Sequence, residues 1–141
     1  MSNSTERNNM PYGYQDTSYR AAGKEDGLRK LCEQFYENMD QFPEAKKIRE
    51  MHEESLEVMI DKLTLFLCMW LGGPKTYREK YHFVGMPEAH KHLKIGHSEK
   101  EAWLLCMDKA IDEQNYLEDF KIYLKEQLRV PAEFIRKVAN Q

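Results

Sequence analysis

The chain has 141 residues, with 21 basic and 24 acidic side chains, five histidines and a formal net charge of -3. That length suits one domain with a real core, and the interspersed charge gives no whole-molecule attraction to nucleic acid or an anionic membrane. Three cysteines, Cys32, Cys68 and Cys106, each fall inside an apolar helical pattern. An odd set placed this way speaks for reduced, buried thiols in a reducing compartment, against a disulfide framework.

The opening MSNSTERNNM is polar and unlike a signal peptide, and residues 1–12 read as a flexible extension ahead of a single domain over 13–141. DTSYRAAG (16–23) offers Asp16 or Ser18 as a helix cap and Gly23 as a stop. Leu28, Leu31, Cys32, Phe35, Tyr36 and Met39 then recur at helical spacing and predict an amphipathic helix. In QFPEAKKIREMH, Pro43 suits the first turn of a short helix. SLEVMIDKLTLFLCMWLGGP (55–74) starts at Ser55 as a cap and stops at Gly72-Gly73-Pro74. Its apolar run, 63–73, is far shorter than the roughly 20 residues of a membrane span. The expectation is a soluble, cytoplasmic protein.

Residues 75–97 are mixed, interrupted by Gly85, Pro87 and Gly96, and predict irregular chain. Ser98 with Glu101 has the spacing of a capping box opening the helix that carries AWLLCM (102–107). Leu117, Phe120, Leu124 and Leu128 mark a further helix, and Pro131 is expected to start a separate short one through Phe134, Ile135 and Val138. No alternating strand pattern appears, so the chain reads as all-α. Residues 63–71 and 102–107 are apolar over most of the helix circumference, and such helices must be buried on more than one side. A crowded centre, a dimer interface or a large apolar ligand would each meet that need.

PEAHKHLKIGHSEKEAW (87–103) holds His90, His92 and His97, with His52 and His82 elsewhere. A structural zinc site would bring four Cys or His ligands with pairs at short spacing, and no cysteine lies near this cluster. A solvated loop with incidental histidines is the plain alternative. A haem needs only one neutral imidazole on iron, with the macrocycle held by apolar burial between helices.

YGYQDTSYRAAG (12–23), the Phe35-Tyr36 pair, LTLFLCMWLGGPKTYREKY (63–81) and the run from His90 to AWLLCM decide among these. Together they resemble the group II truncated haemoglobins, the two-over-two helical globins of bacteria and plants, over about residues 12–128. The resemblance implies an all-α, truncated globin-like, 2-over-2 helical sandwich enclosing haem b. His90 would be the proximal iron ligand, thirteen residues before Trp103 as the family spacing requires, leaving His92 and His97 at the surface. Trp103 and Tyr36 would bring an indole N–H and a phenol to the distal side.

His52 falls where the family places another distal residue, commonly a tyrosine or phenylalanine. There it would steady bound dioxygen or act as a sixth iron ligand; its alternative is a partly exposed loop histidine. Leu56, Met59, Leu63, Phe66, Leu67 and Leu93 would supply apolar walls, with Met59 nearest the distal gate. Lys62 and Tyr77 match positions that hold the haem propionates. Pro87 and Ala89 stand where arginines commonly precede the proximal histidine, so Lys91, His92 or Lys94 would substitute in anchoring a propionate. Only Gly23, followed by Lys24, remains of a usual glycine pair after the first helix. The implied partners are O2, CO and NO. The implied chemistry is NO detoxification or peroxidase-like redox with an external reductase, in a monomer or weak dimer. The alternative from a different class is a cofactor-free helical interaction module.

Overall fold

A computed structural model describes residues 11–52, 54–81 and 95–139, and every regular element among them is helical. In chain order these are α1 (Thr17–Ala21), α2 (Lys24–Gln41), a 3-10 turn (Pro43–Ala45), α3 (Lys46–Glu50), α4 (Leu56–Trp70), α5 (Thr76–Tyr81), α6 (His97–Asp112) and α7 (Glu118–Ala139). Helix α2 packs on α4 and on α6, and α6 packs on α7. The α2/α4 pair therefore lies over the α6/α7 pair as two layers.

The expected amphipathic helix is α2, and Leu28, Leu31, Cys32, Phe35, Tyr36 and Met39 are all buried. Ser55 caps α4, its hydroxyl accepting from the Val58 N–H at 3.3 Å. Six consecutive residues of α4, Leu63 to Cys68, are buried, as the near-continuous apolar circumference requires. In α6, Ala102, Leu104, Cys106 and Met107 are buried while Leu105 opens to solvent. The three cysteines are buried free thiols, and burial pushes Cys32 up to about 12 and Cys68 and Cys106 up to about 11. No described helix is long and apolar enough to cross a membrane.

Four local expectations change. Helix α1 starts after Asp16, which makes no side-chain cap bond, while Ser18 is buried and its hydroxyl accepts from the Gly13 N–H at 2.8 Å. Helix α6 opens at His97, one residue before Ser98, so the carboxylate that reaches back is Glu99, accepting from the Gly96 N–H at 2.7 Å; Glu101 is exposed. Thr76–Tyr81 is helical where irregular chain was expected. Pro131 starts nothing: it sits inside one continuous helix, α7. The proline removes one N–H from the ladder, and the carbonyl it orphans belongs to Gln127, an exposed residue where water can serve. Tyr12, the last residue of the expected extension, donates its hydroxyl to Asp119 at 2.7 Å and meets Phe120 edge-on and Tyr123 at a tilt, with ring centroids 5.1 Å apart in each pair. Residues 1–10 lie outside the described part.

Two glycines fix how the chain turns at either end of this framework. Gly23 joins α1 to α2 with φ +84, and Gly72 closes α4 with φ +94, both in the left-handed region that side chains avoid. At Gly72 there is a second constraint, since a Cβ there would lie 2.0 Å from the Gln15 carbonyl oxygen. Gly72→Ala is therefore expected to cost about 1–3 kcal/mol, combining left-handed strain with a backbone clash. Urea denaturation followed by circular dichroism measures it, and a loss within a few tenths of a kcal/mol would contradict the assignment.

Candidate functional site

Between α4 and α7 the two layers leave a cavity with almost wholly apolar walls. Leu63, Phe66, Leu67 and Trp70 line it from α4, and Leu128, Pro131, Ala132 and Ile135 from α7. Ile48, Met51 and His52 close it at the end of α3, and Ile95, Glu99, Lys100 and Trp103 at the start of α6. Of the residues singled out from the sequence, His52, Leu63, Phe66, Leu67 and Trp103 share this cavity. The α7 wall was not anticipated as part of a site. Its signal is the register of Leu124, Leu128, Ala132 and Ile135, which is buried as one stripe across the proline.

Aromatic rings build the polar side from the interior outward. Phe35 meets Trp103 edge-on at 5.1 Å and Tyr36 at 4.9 Å, and Tyr36 meets His52 edge-on at 5.8 Å. Helix α2 thus sets the spacing between Trp103 and His52 through two buried rings. Tyr36 stands one ring behind the wall, and burial pushes its phenol well above the ordinary value. It stays a neutral O–H donor.

His52 Nδ1 lies 2.8 Å from the Ile48 carbonyl oxygen. A carbonyl only accepts, so Nδ1 carries the proton, and in the neutral ring the lone pair is on Nε2. That tautomer can accept a hydrogen bond or ligate a metal.

The remaining positions divide. Met59 is buried at 4% exposure within the core, whereas Leu56, first residue of α4, is 40% exposed. Lys62 pairs with Glu54 at 2.7 Å and lies 5.3 Å from the Tyr81 ring. Tyr77 stands edge-on to Phe66 at 5.5 Å, linking α5 to the cavity wall, and burial raises its phenol. His97 is exposed at the start of α6. His82, His90, His92 and Leu93, with Pro87, Ala89, Lys91 and Lys94, lie outside the described residues. Among the described residues no group of His, Cys, Asp and Glu is gathered for a metal ion.

Two packed helical layers, a cavity between them and an imidazole with an indole in its wall define a globin-type prosthetic-group site. The bacterial-like globin family profile matches residues 17–135, and the chain belongs to that family. Its place among the group II truncated haemoglobins follows from the relatives. The curated "Group 2 truncated hemoglobin YjbI" of Bacillus subtilis is 30% identical over 123 residues, covering 87% of this chain and 88% of that one. The group II 2-on-2 haemoglobin of Agrobacterium tumefaciens superposes with a TM-score of 0.79 at 29% identity, over 91% of this chain and 95% of that one. The cold-adapted truncated haemoglobin of Pseudoalteromonas haloplanktis TAC125 gives 0.79 at 25% identity, over 84% and 95%. The fold is the two-over-two globin sandwich, and the cofactor of this family is haem b.

The walls suit that group. A large flat apolar macrocycle needs apolar faces above and below with few polar groups, and α4 and α7 supply them while His52 and Trp103 supply ring nitrogens. The interaction-module alternative has no support against haem-binding relatives.

Beside the cavity, Asp61 ties three elements together. Its carboxylate accepts from Lys80 at 2.8 Å, from Arg29 at 3.2 Å and from the Tyr81 hydroxyl. Burial alone would raise its pKa; the hydrogen bonds from Lys80, Tyr81 and Arg29 win and hold it at about 2 against an ordinary 3.8. A carboxyl depressed in the folded state stabilises above its unfolded value and loses that contribution as pH falls from 3.8 through about 2. Acid titration of folding stability should show this loss, and Asp61→Asn should flatten the curve in that window. An unchanged acid limb would show that Asp61 is not the group responsible.

Proposed function

We propose that this chain holds haem b through His90 and binds small diatomic gases, O2, CO and NO, on the opposite face beside His52, Trp103 and Tyr36. The carrying observation is that His52 and Trp103 face one apolar cavity while Tyr36 and Phe35 lock their spacing. Haem b supplies, when bound, an iron with a position open to such a gas. What the chain adds is apolar burial from Leu63, Phe66 and Leu67, exclusion of bulk water and preset donors.

The Trp103 N–H is a fixed donor, and neutral Tyr36, beside His52, is a second. Donors placed before the ligand arrives cost no reorganisation and favour a ligand that gains negative charge. Slow release of dioxygen follows, which suits oxygen and reactive nitrogen chemistry, NO detoxification or peroxidase-like turnover, with electrons from an external reductase. The support is by likeness: a truncated haemoglobin of Bacillus subtilis, 28% identical with a TM-score of 0.74 over 84% of this chain and 97% of that one, is described as oxygen-avid. Lys62 and Tyr77, on the α4/α5 side, are the proposed propionate partners, and Met59 guards the distal entry by bulk.

The His52 tautomer suits a second role as the sixth iron ligand when no gas is present, since the Nδ1–H bond to Ile48 orients the ring and raises Nε2 basicity. The test is the absorption spectrum of the purified protein, ferric, ferrous and with CO. A Soret band that shifts on reduction and on CO addition is expected, with low-spin features at rest that His52→Ala converts to high spin. Loss of the indole donor in Trp103→Phe should speed dioxygen release by roughly tenfold or more, equivalent to about 1.5–3 kcal/mol for a hydrogen bond to a charged group. No Soret band after reconstitution with hemin would overturn the haem reading, and unchanged resting spectra in His52→Ala would overturn the sixth-ligand role alone.

A further inference from the structure

A second cavity of about 230 Å³ lies where the turn before α1, the end of α4 and helix α7 meet. It differs from the first in chemistry. The Ser18 hydroxyl, the Tyr123 hydroxyl and the Gln127 side chain give it polar walls, and Ser18 is 1% exposed with its oxygen 3.4 Å from that of Tyr123. None of its lining side chains is charged. Space of that size holds several waters at about 30 Å³ each, and an ion entering it would lose hydration with no countercharge to replace it. The cavity therefore admits small neutral molecules and excludes ions.

One side chain belongs to both cavities. Trp70, the last residue of α4, lines the apolar cavity on one side and the polar cavity on the other. Its backbone surroundings are pinned: the Tyr19 N–H donates to the Leu71 carbonyl at 3.1 Å and the Gly73 N–H to the Cys68 carbonyl at 2.7 Å. The indole itself is half-buried, and among the described residues no hydrogen bond or ring pair holds it. A rigid frame around a side chain held by apolar packing alone is the arrangement of a door.

We propose that the polar cavity is an entry port for small neutral ligands of the haem, with Trp70 as the partition they pass. This rests on haem b occupying the cavity between α4 and α7. Ligands would pass from the hydrated outer cavity to the haem when the Trp70 ring turns away. Gln127, exposed on α7, lines the outer cavity and is not among the residues lining the haem cavity, so it offers a place to block the port from outside.

CO recombination after flash photolysis of the haem-loaded, full-length protein tests this, with the CO stretching frequency as a second readout. Trp70→Ala should speed bimolecular recombination several-fold, and Gln127→Trp should slow it several-fold. Gln127→Trp should not move the CO stretch, since Gln127 is neither a distal donor nor part of the haem cavity lining. The milder Trp70→Phe and Gln127→Phe, expected to act in the same directions, serve where the first pair fails to fold by circular dichroism. Recombination rates unchanged in folded variants of both positions, with a normal CO spectrum, would overturn the port and leave the haem site standing. A parent protein that forms no CO complex would overturn both.

Discussion

One buried amide holds the two layers in register. Asn38, 1% exposed in the last turn of α2, donates its side-chain N–H to the Cys106 carbonyl of α6 at 3.1 Å and accepts from Gln34 at 2.9 Å. A buried amide left unsatisfied costs about 1–3 kcal/mol, so the crossing has one angular setting at which this group is satisfied. Phe35 and Tyr36 lie within one turn of Asn38, and Trp103 lies one turn before Cys106. Fixing Asn38 to Cys106 therefore also fixes the ring chain from Trp103 through Phe35 and Tyr36 to His52. The site's precision is set in the core, where a polar contact specifies what apolar packing alone would leave free to slide.

The wide apolar faces of α4 and α6 now have a cause. Helix α4 is covered by α2 on one side and faces the cavity on another, so its buried face is wider than one neighbour demands. Helix α6 lies between α2 and α7, with Leu105 marking the strip it leaves to solvent. Of the explanations open at the level of sequence, a crowded centre accounts for α6. The space between layers, the place for an apolar prosthetic group, accounts for α4.

Most elements were legible because their signals are local. The spacing of apolar residues marked α2, α4 and α6, and Ser55 and Gly72 marked the ends of α4 through cap chemistry that needs no knowledge of the fold. What sequence could not supply is tertiary. Pro131 inside α7 is tolerated because its orphaned carbonyl is on an exposed residue, and exposure is a property of the packed molecule. The short helix α5 owes its place to Phe66–Tyr77 contact and to Asp61 gripping Lys80 and Tyr81, all on partners outside the segment. A helix of six residues has too little propensity of its own to be read from pattern. In the candidate site, His52 and Trp103 were legible only through family spacing; the Ile48 carbonyl that fixes the His52 tautomer lies four residues away on α3 and carries no sequence signature.

That carbonyl has a consequence for how the pocket changes state. A histidine tied at Nδ1 to a backbone acceptor does not need a new partner at Nδ1 when Nε2 changes company. In the proposed haem site the same nitrogen would serve either as a ligand to the iron or as the acceptor for the Tyr36 hydroxyl, with the Nδ1 anchor kept. Tyr36 is suited to follow, because its buried phenol stays protonated and its ring already meets the imidazole edge-on. Exchange between the two arrangements would thus be carried by two side chains on a fixed frame, with the α2–α6 crossing unchanged. Such a frame explains why the polar groups are so few: each donor is held by core packing on one side, so the cavity can remain apolar enough to keep a macrocycle and still distinguish a ligand that gains charge from one that does not.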